Sequence, residues 1–136
     1  MSDEARWKRL NQDLPPEARQ FYARLANAST LIPPKRLADQ VKGYVKLVQA
    51  TAQDNPWIDV DRVKELARSL MGLLRGLERD GPEFEHRAVQ AAVRYFVLEE
   101  DGDEDMESED GFDDDIEVMN AVANALGRDD LVIELW

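Results

Sequence analysis

Apolar residues recur along this chain at three- and four-residue spacing, in blocks separated by proline, glycine and aspartate, and strict alternation is nearly absent. Such spacing puts the apolar side chains on one face of an α-helix. Trp7, Leu10 and Leu14 predict a first short helix over residues 1–14. Asp13, followed by Pro15 and Pro16, supplies a cap and a first-turn proline for a second helix reaching about Ala28, with Ala18, Phe21, Tyr22 and Leu25 inward. Pro33 and Pro34 open a third, with Leu37, Val41, Tyr44, Val45 and Val48 on its apolar face. It ends near Gln53, before the Asp54-Asn55-Pro56 turn signal.

Asp59 or Asp61 caps a fourth and most regular helix, whose Val63, Leu66, Ala67, Leu70, Leu74 and Leu77 predict the spine of the core. Asp80-Gly81-Pro82 ends it and starts a fifth, with Phe84, Ala88, Ala91, Ala92, Tyr95 and Phe96 as the buried stripe. A sixth begins at Asp114 or Asp115, carries Ile116, Met119, Ala123 and Leu126, and meets Gly127, well placed to stop it in the left-handed conformation. The closing Leu-Val-Ile-Glu-Leu-Trp, residues 131–136, is too apolar to leave exposed and is expected to cover the core or to bind a partner, core cover being favoured.

These elements predict an all-α protein: a single compact bundle of five or six helices with an acidic loop between the last two. Its parts are N-terminal helices over 1–30, central helices over 33–98, the acidic loop at 99–113, a last helix over 114–127 and an apolar tail at 128–136. A chain of 136 residues suits one domain. Short connections predict that consecutive helices pack roughly antiparallel.

Charge divides this picture sharply. Residues 99–115 hold twelve acids and no base, and without them the remaining 17 acids balance the 17 bases. The net charge of −12 therefore belongs to one segment and argues against direct nucleic-acid binding. There is no cysteine, which excludes disulfides, thiolate metal sites and thiol catalysis. The N-terminal residues lack the apolar stretch of a signal peptide, and no apolar run approaches the roughly 20 residues of a membrane span. A cytoplasmic protein without a membrane span is expected.

The acidic segment admits several readings. Asp101, Asp103 and Asp105 match the first ligand positions of an EF-hand loop, but Met106 stands where glycine is needed and Phe112 where a bidentate glutamate should be. An irregular calcium or magnesium site using Asp101, Asp103, Asp105, Glu109 and Asp110 stays open; no other cofactor is implied. A solvated, self-repelling loop is the plainest reading. The functional one is a recognition element formed by Glu99, Glu100, Asp101, Asp103, Glu104, Asp105, Glu107, Glu109, Asp110 and Phe112, suited to another protein with a basic surface. A phosphate-mimicking decoy for a nucleic-acid-binding protein is a third. Asp113, Asp114 and Asp115 are set apart as the N-terminal cap of the last helix.

The fourth helix carries two further features. Lys64, Arg68, Arg75 and Arg79 fall within about 60° of one another on a regular helix and form a basic stripe. Beside them, Ser69, Gly72 and Gly76 make a small-residue strip, costly in a helix and explained either by the close approach of another helix, with the acidic loop over the adjacent basic stripe, or equally by a solvated face with two tolerated glycines. No catalytic constellation is recognisable. The single histidine, His86, has Glu83 three residues before it, but the di-iron pattern needs a second such pair. It is expected to be a partly exposed residue near Glu83 and Gln90. Ser29 and Ser69 lack a base-and-orienter set.

The segment Ala92-Val93-Arg94-Tyr95-Phe96-Val97, followed after the acids by Gly111-Phe112-Asp113-Asp114-Asp115-Ile116-Glu117-Val118, resembles the YkvA-like bacterial family, a helical domain of unknown function. Tyr95 matches that family's helix aromatic, and Gly111, Phe112, Asp114 and Asp115 its glycine, aromatic and paired aspartates. The resemblance covers about residues 88–127 and implies a helical hairpin rather than a reaction. The connector departs from the family's apolar, proline-containing one. A non-enzymatic protein–protein interaction or regulatory module is the expected function, with a homo-oligomer admitted and a divalent-cation-binding module as the alternative.

Overall fold

The computed structural model describes residues 2–97 and 112–134. Six α-helices lie within them: α1 Asp3–Asp13, α2 Arg19–Ala26, α3 Pro34–Ala52, α4 Val60–Arg75, α5 Glu83–Val97 and α6 Asp113–Ala125. Single 3-10 turns occupy Pro16–Ala18 and Asp129–Leu131, and no strand occurs among the described residues. The acidic residues 99–110, with every metal-ligand candidate among them, lie outside the described residues, as do Gly111, Leu135 and Trp136.

Local chemistry fixes most boundaries. Ser2 caps α1, its Oγ accepting from the Ala5 N–H at 3.3 Å, and Asp59 caps α4 by accepting from the Arg62 N–H at 3.0 Å. Pro33 and Pro34 start α3 with their fixed φ. Gly127 takes φ +72°, and the Arg128 N–H bonds Ala123 O at 2.7 Å while the Gly127 N–H bonds Asn124 O at 3.2 Å. That is a Schellman closure, which satisfies carbonyls left over at the end of α6.

Three expectations change here. Asp13 does not cap the second helix: it is the last residue of α1, because Pro15 holds Leu14 extended at ψ 145° and the Pro16–Ala18 turn intervenes before α2. Asp113, Asp114 and Asp115 do not occupy the N-cap of α6. The N-cap position belongs to Phe112, which is buried and has no side-chain acceptor, so the three aspartates fall inside the first turn and act on the helix dipole. Finally, α4 stops at Arg75, with Gly76 at the C-cap and a tightened Leu77 N–H to Leu74 O bond at 3.2 Å.

The core's centre is α5 rather than α4. It packs against α2, α3, α4 and α6, and Phe84, Ala88, Val89, Ala91, Ala92, Val93 and Phe96 are all buried, which is more than one helical stripe. Small residues at Ala88, Ala91 and Ala92 permit neighbours on several sides. The first and last helices also meet, α1 lying against α6.

Polar side chains of α5 hold the α2–α3 connection, beside the packing of Ile32 against the core. Buried Gln90 donates from Nε2 to Thr30 O at 3.1 Å and accepts the Ile32 N–H on Oε1 at 2.6 Å. The Arg87 guanidinium donates to Ala26 O and Ala28 O at 3.2 and 2.7 Å, satisfying the end of α2. Tyr22, whose phenol burial pushes far above its ordinary pKa, donates to Ala88 O at 2.9 Å. On the opposite side, the Asn120 amide clamps Ile133 through both its N–H and its carbonyl, at 2.9 and 2.8 Å. The tail as far as Ile133 is thereby core cover, Ile133 being buried and Leu131 half-buried.

Candidate partner-binding groove

Helices α3 and α4 pack against each other and are joined through residues 53–59. Their inward faces bury Val41, Val48, Val63, Leu66 and Leu70. Where the two helices diverge outward they leave a groove of about 370 Å³, floored by Val41, Val45, Ala67 and Met71. Lys42 and Lys46 of α3 rise on one side, with Gln49 beyond them; Lys64 and Arg68 of α4 rise on the other. All four cations are exposed, and among the described residues no acid lines the groove.

This charge arrangement is not explained by the fold. Lys42 and Lys46 are spaced i,i+4, as are Lys64 and Arg68, and like charges at that spacing disfavour a helix by a few tenths of a kcal/mol per pair, roughly. None of the four forms an ion pair among the described residues, whereas Arg6, Arg62, Arg87 and Arg128 each do. A chain of net charge −12 thus presents a concave, apolar-floored surface of positive sign.

The predicted basic stripe is only partly realised. Lys64 and Arg68 line the groove and Arg75 does not, while Arg79 lies beyond the end of α4 because the helix closes at Gly76. The small-residue strip has an occupant, but not a helix. A Cβ at Gly72 would stand 2.8 Å from Leu131 Cδ2, one at Gly76 would stand 2.6 Å from Arg128 Nη1, and Ser69 Oγ donates to Leu131 O at 2.8 Å. The Asp129–Leu131 turn sits on the strip at Ser69 and Gly72, whereas Gly76 is approached only by the flexible end of the Arg128 side chain.

Residues weighed for catalysis are engaged elsewhere. A His86 ring nitrogen contacts Glu78 O at 2.7 Å, Glu83 pairs with Arg87 at 3.5 Å, and Ser69 is held by the tail. Among the three aspartates, Asp113 reaches Arg62 at 3.5 Å and ties α6 to the start of α4. Asp115 is buried.

Asp114 joins Glu17 and Glu117 in a carboxylate group whose oxygens lie within 4.8 Å of one another, where the Pro16–Ala18 turn meets α6. Sequence spacing could not show this grouping, since Glu17 is remote along the chain. Burial, then repulsion from Glu17 and Asp113, raises the Asp114 pKa; burial, then repulsion from Asp114, Glu17 and Asp113, raises that of Glu117. Both therefore hold a proton more tightly folded than unfolded. Their contribution to stability is full below the ordinary carboxylate range and is lost as pH rises through the raised values. Glu17→Gln is expected to raise the melting temperature at pH 7 and to reduce its dependence on pH between 4 and 7 (roughly the window of raised carboxylates). Melts of both proteins across that window check this, and parallel curves would contradict it.

No family model, curated protein or solved structure matches the chain. No helix among the described residues is long and apolar enough to cross a membrane.

Proposed function

We propose that this protein is a non-enzymatic protein–protein interaction or regulatory module, and that a partner docks in the groove between α3 and α4. The observation that carries the reading is the set of four exposed cations, none of them ion-paired among the described residues, around an apolar floor. Apolar ground with a polar rim is the usual anatomy of a protein interface. The twelve acids of 99–115 provide a second, anionic element, suited to a partner with a basic surface. The absence of cysteine fits work in a reducing cytoplasm. The likeness to the YkvA-like family, carried by 92–97 and 111–118, is compatible with this reading because it implies no reaction.

Quantitative affinity capture with three forms of the full chain tests it: the parent, a variant with Lys42, Lys46, Lys64 and Arg68 changed to Gln, and one with the acids at 99–110 changed to Asn and Gln. The first variant is expected to lose a specific subset of partners, and the second a different subset. Identical partner sets for all three forms, with all three folded by circular dichroism, would overturn the proposal.

A further inference from the structure

Resting on the reading of the α3/α4 groove as a docking face, we infer that its partner is an amphipathic helix whose apolar stripe is flanked by aspartate and glutamate. The length of the groove, its floor and its rim each narrow the occupant. From Val41 to Gln49 the lining contributed by α3 runs about 12 Å at the helical rise, room for about two turns of a partner helix. The backbones of α3 and α4 are bonded within their own helices, so the groove offers no row of main-chain donors and acceptors. An extended peptide laid there would leave its own N–H and C=O groups against apolar side chains, at a cost a helix avoids because its backbone is already satisfied.

The cations specify what lies beside the apolar stripe. They stand in two pairs, one on each wall, so a helix lying along the groove meets positive charge on both flanks. Carboxylates one turn apart on each side of a Leu-type stripe answer both pairs and relieve the i,i+4 repulsion within each wall. Met71 adds an unbranched, adaptable side chain to the floor, of the kind that accommodates varied apolar anchors. An anionic lipid surface would also answer the charge, but it needs apolar side chains that protrude. Here Val41 and Ala67 are 1% and 9% exposed and lie below the cations.

The test uses the full chain and a fluorescein-labelled synthetic helix of about four turns, with leucines at i, i+3, i+4 and i+7 flanked by glutamates. Fluorescence anisotropy is expected to show saturable binding that weakens about tenfold or more when the peptide glutamates become glutamine. The quadruple variant K42E/K46E/K64E/R68E is expected to lose the acidic peptide and to gain its lysine counterpart. Val45→Asp, which leaves the cations in place, should weaken both combinations. No binding by the glutamate peptide, equal binding of its glutamine form, or preferential co-sedimentation with phosphatidylserine vesicles would each overturn the inference. A photocrosslinker at Gln49 that captures the groove-dependent partners of the affinity experiment while the peptide fails would leave the docking face standing and remove only the partner's class.

Discussion

Replacing Phe96 by alanine is expected to lower the unfolding free energy by about 3–5 kcal/mol, among the largest losses a single substitution here can cause. The side chain is 1% exposed, and its ring meets Tyr44 edge-on at 4.8 Å between centroids and Phe112 at 6.4 Å. It therefore joins α3, α5 and the start of α6 in one contact. Truncation removes the transfer free energy of the ring and leaves a cavity whose walls come from three elements, so collapse around it is resisted. A fall of roughly 10–20 °C in melting temperature follows for a chain of this size. Urea melts of Phe96→Ala and Phe96→Leu check it: the leucine variant should recover much of the loss, and a loss below about 1 kcal/mol for alanine would show that the aromatic cluster does not hold these helices together.

Removing residues 131–136 should destabilise the protein by a comparable amount, about 3–5 kcal/mol. Ile133 is buried against the core, and Leu131 lies over Gly72 of α4. Losing them uncovers apolar surface and strips the Asn120 amide of both its bonds and Ser69 of its acceptor. Asn120→Ala separates the polar share, expected at about 1–3 kcal/mol because the Ile133 N–H and C=O then lose their partners. Thermal melts at one pH and salt concentration suffice, and an unchanged midpoint in the truncated chain would sink the assignment of this segment to the core.

What could be read before the structure was local. Asp59, the Pro33-Pro34 pair and Gly127 each act through their own backbone neighbours, and each performs the part its residue type predicts. The six apolar stripes also gave the helices. What could not be read depends on pairs of elements. The primacy of α5 was hidden because Ala88, Ala91, Val89 and Val93 resemble an ordinary stripe until neighbours close around them. Gln90 and Asn120 gave no sign of their role, since nothing in their own helices signals a loop in need of hydrogen bonds. The groove was half visible: Lys64 and Arg68 stand out along α4, but their counterparts Lys42 and Lys46 join them only through the packing of α3. Following one helix led to Arg75 and Arg79 instead, one off the groove and one off the helix.

The pairing of Phe96 with Phe112 has a consequence for how this protein can change. The two rings fix the departure and return of the chain on either side of residues 98–111 at neighbouring points of the core. The two positions are therefore coupled: truncating both rings opens one shared space, so the two losses together fall short of their sum.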